Sequence, residues 1–163
     1  MNFICIGSPR SGTSWLYERL NEHSDFKLPL RKEIHYFDRD NRYPSPSNLS
    51  IPLKKRIVNL DFLVLALSDS LYKLLKLDFS GLKWKLNWYF SNYSDDWYLS
   101  LFKGHQKITG DITPAYSMLS EDDIIKMSEL LPDVKIVYLI RNPIDRAWSS
   151  YRKNFVKKGL NLT

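Results

Sequence analysis

Phe3, Ile4, Cys5 and Ile6 make an unbroken apolar run near the start of the chain. Such a run predicts a short buried strand, although its period alone does not separate it from a turn of helix. Gly7-Ser8-Pro9-Arg10-Ser11-Gly12 interrupts it with two glycines and a proline, the composition of a loop. Trp15, Leu16 and Leu20 then recur at helical spacing, with Thr13 or Ser14 at the helix start. The opening unit therefore reads strand, glycine-rich loop, helix.

Residues 25–52 are polar and broken by Pro29, Pro44, Pro46 and Pro52, which predicts mainly loop. Ile57, Leu60, Val64, Leu67, Leu71 and Leu75 recur every three or four positions and predict one or two helices over 53–77. The aromatic stretch 82–103 reads as short helices packed over the core. Lys107–Asp111 reads as a short strand ending in a Thr113-Pro114 loop. Ser120 is placed to cap a helix, with Asp123 three residues on in a near-capping box, and that helix ends near Leu131-Pro132. Val134–Ile140 is β-branched and nearly all apolar, which predicts a central parallel strand. Asn142-Pro143 breaks it, and Pro143 opens a helix through Phe155. The tail from Lys157 to Thr163 has no period. Strands alternating with helices predict an α/β fold with a mostly parallel central sheet.

Hydrophobic residues make 44% of the 163 residues, aromatics 14% and charged residues 26%. This is the balance of one folded domain; it excludes a disordered chain, a collagen-like fibre and a mucin-like stalk. One cysteine forms no internal disulfide, and with three histidines it makes no cysteine-rich zinc site. The net charge of +6 suits a nucleotide or another anion as readily as a nucleic acid. Lys54-Lys55-Arg56 is a short basic run of the kind that usually forms a solvated face, so nucleic acid is not an expected partner. No secretory leader is visible, and the best apolar stretch, Phe62–Leu77, is short and carries Asp69, Lys73 and Lys76. The expectation is a cytoplasmic protein with no transmembrane segment.

Three clusters carry candidate chemistry. Gly7-x-x-x-x-Gly12-Thr13 has the glycine spacing of a phosphate-binding loop, in which backbone amides and a helix start face an anion. Thr13 follows Gly12 directly, so the usual lysine is absent and Arg10 is the cation of the loop. Arg141, at the end of a predicted strand, has Ser149 about two helical turns past Pro143, near enough to share an anion. In Lys32-Glu33-Ile34-His35-Tyr36-Phe37-Asp38 an extended backbone would turn Glu33 and His35 to one side. Glu33 then reads as a general base whose charge and orientation are set by His35 or Asp38.

Gly7 to Leu16 resembles the 5′-phosphosulfate loop of sulfotransferases that use 3′-phosphoadenosine-5′-phosphosulfate (PAPS). Arg141-Asn142-Pro143-x-x-Arg146-Ala147-Trp148-Ser149-x-Tyr151 resembles the 3′-phosphate motif of the same family. Lys32 to Asp38 is similar to a segment of the heparan-sulfate and glucosaminyl sulfotransferases and their bacterial relatives. Gly110-Asp111-Ile112-Thr113-Pro114-Ala115-Tyr116 resembles a cleft-lining segment, except that Ile112 stands where many carbohydrate-specific members carry lysine. Lys103 and Lys107 are candidates to replace it.

The resemblance implies a three-layer fold like that of P-loop nucleotide kinases, with residues 1–163 the N-terminal portion of a longer domain. Residues 25–105 would form an excursion contributing to the acceptor cleft. It implies PAPS as co-substrate with no metal required. Arg10, Ser11, Gly12, Thr13 and Ser14 would bind the 5′ end, and Arg141 and Ser149 the 3′-phosphate. Glu33 would be the base, Arg10 would stabilise the leaving phosphate, and His35 and Asp38 would lie near the acceptor, a carbohydrate or other hydroxyl or amine. The rival readings are a truncated nucleotide-binding protein without turnover and a degenerate P-loop kinase. Neither N- versus O-sulfation nor oligomeric state is legible.

Overall fold

In the computed structural model, which describes residues 1–44, 48–104 and 106–157, three short strands lie parallel. Pro46 and the tail beyond Lys157 lie outside the described residues. The strands are β1 (Phe3–Gly7), β2 (Gly110–Ile112) and β3 (Lys135–Tyr138), in the order β2-β1-β3. Cys5 lies opposite Ile112 on one side and Val137 on the other. The central place thus goes to β1, and β3 lies at the edge of this sheet, with Ile136 and Tyr138 exposed. This corrects the expectation from Val134–Ile140. An apolar run signals a strand; its rank in the sheet is set by which strands pair with it.

The side chains of β1 alternate between two cores. Phe3 and Cys5 pack with Leu28, Ile112 and the inner positions Leu16, Tyr17 and Leu20 of α1 (Thr13–Glu22). Ile4 faces the opposite cluster, among Ile34, Tyr36, Tyr98, Tyr116 and Met127. The connection from β1 to β2 carries α1 and then the helices α2 (Leu53–Val58), α3 (Leu60–Leu75), α4 (Phe79–Phe90) and α5 (Asp95–Ser100). Local chemistry fixes their starts. Asn59 accepts from the Phe62 amide at 2.9 Å, Asp78 from the Gly81 amide at 2.8 Å, and Ser94 from the Trp97 amide at 3.2 Å.

The periodic stripe that predicts helix over 53–77 is not the face that packs. α3 turns Ala66 and Ser70 inward, with Phe62 edge-on to Tyr89, while Leu60, Val64, Leu67, Leu71 and Leu75 are exposed. The basic run is likewise mixed. Arg56 is buried, donating to the carbonyls of Tyr89 and Ser91 at 2.9 and 2.6 Å with its guanidinium over Tyr93. It ties α2 to the end of α4, so only Lys54 and Lys55 remain solvated.

After β2, a 3₁₀ turn (Pro114–Met118) leads to α6 (Glu121–Leu130), and α7 (Pro143–Lys157) follows β3. Ser120 precedes α6 as expected, but its hydroxyl donates to the Asp123 carboxylate at 3.0 Å and makes no cap bond to the backbone. The competing acceptor is strong, since Asp123 also receives Tyr43, Arg42 and Lys126. Asn142 caps α7 through the Ile144 amide at 2.9 Å, beside the expected Pro143.

Candidate functional site

The three parallel strands end on one edge of the sheet, and each end leads into a segment singled out in the sequence. β1 runs into the loop 8–12, β2 into Thr113, and β3 towards Arg141. The carboxyl edge is where open parallel sheets bind ligands.

The loop turns back through two residues with positive φ, Arg10 at 68° and Gly12 at 95°. Glycine suits position 12 because of that dihedral; an added Cβ would meet nothing within 4 Å. The Ser8 amide donates to Leu139 O at 3.1 Å and the Ser8 and Ser11 hydroxyls pair at 2.6 Å, which ties the loop to the end of β3. No side chain caps α1, so the amides of its first turn, from Thr13 and Ser14, have no intrahelical acceptor and favour an anion.

The cation of this loop reaches α7. Arg10 Nη2 donates to the Ser149 hydroxyl at 2.9 Å and to the Ser149 carbonyl at 3.0 Å. Arg141 Nη1 donates to Arg10 O at 3.2 Å. Arg10, Arg141 and Ser149 therefore form one cluster, in which Ser149 is buried and Arg141 exposed.

Glu33, His35 and Asp38 form a second. His35 Nδ1 lies 2.7 Å from Asp38 Oδ2 and Nε2 lies 3.6 Å from Glu33 Oε2, while Lys32 pairs with the other oxygen of Glu33. The backbone is not extended, since Glu33 and His35 have φ of 62° and 57°. The alternation survives in another form, with Ile34 and Tyr36 buried and the charged pair on the opposite side. The neighbouring imidazole of His35 holds the Glu33 carboxyl at about 2, helped by Lys32 and opposed by burial. Burial works against a charge on His35, but its bonds to Asp38 and Glu33 outweigh this and lift it to about 9. At neutral pH Glu33 is a carboxylate and His35 an imidazolium.

A buried carboxylate that the sequence reading passed over holds this segment in place. Asp111 accepts from the Thr113, Tyr116 and Tyr98 hydroxyls at 2.7, 2.9 and 3.0 Å. Thr113 Oγ1 in turn accepts from the Ile34 amide at 2.9 Å, and the Tyr116 hydroxyl from the Tyr36 amide at 2.8 Å. The signal available in the sequence was an acid inside an apolar strand, which needs partners when buried. Ile112 is buried in the core under α1, and Lys32 pairs with Glu33.

Beside Glu33 lies an aromatic cavity lined by Arg31, His35, Phe62, Trp88, Tyr89 and Tyr93. The Arg31 guanidinium sits 5.0 Å from the Trp88 ring centroid. A larger depression of about 620 Å³, lined by Tyr36, Arg39, Arg42, Asp95 and Lys126, contains none of the residues above that carry candidate chemistry. Among the described residues, no group of three or more His, Cys, Asp or Glu is placed to hold a metal ion.

These features define a mixed α/β protein with a small parallel sheet and an anion-receptive, charged carboxyl edge. The Sulfotransferase family model matches residues 2–163, and the chain belongs to that family. A sulfotransferase from Alicyclobacillus acidocaldarius shares its fold, with a TM-score of 0.57 at 24% identity over 99% of this chain and 52% of that one. The chain thus spans about half the length of that protein. No curated protein matches it.

Proposed function

We propose that the protein binds PAPS at the loop 8–12 and α7 and transfers its sulfuryl group to a hydroxyl or amine, a carbohydrate first among acceptors. The observation that carries this reading is the shared sheet edge. It brings an uncapped helix start, two arginines and Ser149 to the same side as an ionised carboxylate cluster.

In the proposed reaction the acceptor oxygen or nitrogen forms a bond to sulfur as the bond from sulfur to the bridging phosphate oxygen breaks. The acceptor proton passes to the Glu33 carboxylate. At about 2, Glu33 is fully ionised but weakly basic. Proton transfer concerted with bond formation suits such a base, because the proton becomes acidic as sulfur attaches. His35 and Asp38 orient Glu33. Arg10 and the first amides of α1 offset the charge growing on the departing phosphate. Arg10 must leave Ser149 to do so, which frees the Ser149 hydroxyl to join Arg141 on the 3′-phosphate. Binding without turnover is the second reading, favoured by the bond that holds Arg10 on Ser149. A magnesium-dependent kinase is disfavoured by Thr13, which follows Gly12 where the phosphate-binding lysine of such enzymes would stand.

Calorimetry with 3′-phosphoadenosine-5′-phosphate and with ATP tests the site, and labelled PAPS with a panel of glycan, lipid and tyrosyl acceptors tests transfer. Tight binding of the bisphosphate with weak binding of ATP is expected. Equal affinity for both nucleotides would overturn the assignment of Arg141 and Ser149. Binding with no label transferred to any acceptor would leave the second reading.

A further inference from the structure

Among the described residues the outward stripe of α3 is left exposed. Leu60, Val64, Leu67, Leu71 and Leu75 follow one another at spacings of three and four and are 54–74% exposed. The apolar surface continues beyond both ends of the helix at Val58, Leu77 and Phe79, all largely exposed. The inner face is already occupied through Ala66, Ser70 and the Phe62–Tyr89 contact. A contiguous apolar surface of this kind marks an interaction site.

Charge selects the partner. Lys73 pairs with Asp78 and Lys85 with Asp69, which leaves Lys54, Lys55, Lys76 and Lys83 exposed against Asp61. A second copy would bring like-charged rims together, whereas an anionic lipid surface complements them. Tyr72 and Phe79, exposed in the same region, are residue types that settle at the headgroup boundary. The 16 residues of α3 reach about 24 Å, and Asp61, Asp69 and Lys73 interrupt them. No helix of the described residues is long and apolar enough to cross a membrane. A basic-rimmed apolar helix of this length lies in the interface plane.

We propose that the α3–α4 hairpin docks on an anionic lipid bilayer through the Leu60–Leu75 stripe and its lysine rim. The inner side of the same helix lines the aromatic cavity beside Glu33 through Phe62 and Leu65. Docking is read without any sulfuryl transfer, so it stands or falls separately from the proposed activity.

Flotation of the full chain with phosphatidylcholine vesicles, with and without phosphatidylserine, tests it. Recovery with the anionic vesicles is expected, about tenfold or more above that with neutral ones and falling as salt is raised. Leu71→Glu with Leu75→Glu should abolish flotation while the circular dichroism spectrum is kept. Should that variant not fold, Lys54→Glu with Lys55→Glu, at solvated positions of α2 just before α3, should still lower anionic flotation several-fold. Equal recovery with neutral vesicles, no recovery with either, or flotation insensitive to the foldable variants would overturn the proposal. So would a concentration-dependent dimer in sedimentation velocity that Leu71→Glu abolishes in a chain that does not float, which would assign the stripe to a second copy.

Discussion

The guanidinium of Arg10 grips both the hydroxyl and the carbonyl of Ser149, 139 residues further along the chain. The bond joins the loop after β1 to α7 and makes a single cluster of residues that the family resemblance assigns to two ends of a nucleotide. It also holds the cation of the loop on a neutral partner, a weaker one than an anion would be.

Arg10→Ala should lower kcat on the order of 100-fold while changing bisphosphate affinity less, because developing charge rewards a cation more than ground-state charge does. Arg10→Lys should keep part of the rate. Single-turnover rates with labelled PAPS, beside calorimetry, separate the two effects. A loss confined to affinity would contradict the role given to Arg10.

Glu33→Gln should keep the fold and nucleotide binding and remove most sulfuryl transfer, since an amide does not accept the proton. Glu33 is partly exposed and packs no core, so the melting temperature should fall only by what its charge pairing with His35 and Lys32 contributes. Turnover of the variant at the wild-type rate would exclude Glu33 as the base.

The His35 cluster should impose a pH dependence on stability. His35 has a folded pKa of about 9 against an ordinary 6.5, so its stabilisation is full below 6.5 and is lost as pH rises through 9. Glu33, lowered from 4.5 to about 2, contributes above 4.5 and loses that contribution as pH falls through 2. Thermal melts across the alkaline window should show a decline that Asp38→Asn flattens. An imidazole titrating near 6.5 by NMR would refute the arrangement.

Asp111→Ala should destabilise the protein by about 2–4 kcal/mol, since it leaves the hydroxyls of Thr113, Tyr98 and Tyr116 without their acceptor and opens a cavity. Denaturant unfolding measures this. In an active preparation the same change should lower kcat, because the backbone of 34–36 loses its anchors. Wild-type stability would show that Asp111 is not the hub.

The sequence by itself determined what depends on neighbours along the chain. An apolar run followed by two glycines set the strand and turn of residues 3–12, Pro143 opened a helix, and the spacing of Arg141, Pro143 and Ser149 carried the family's signature. These are short-range effects of backbone dihedrals and local hydrogen bonds, which a pattern records directly. Tertiary structure decided the rest. Arg10 meets Ser149 only because β1 and β3 are neighbours, and Asp111 holds Ile34 and Tyr36 only because residues 33–36 fold back over the end of β2. The leucine stripe of α3 announced a helix, yet its packing face runs through Ala66 and Ser70. Periodicity records that a helix has an apolar face; which face is covered depends on the elements that arrive from elsewhere in the chain.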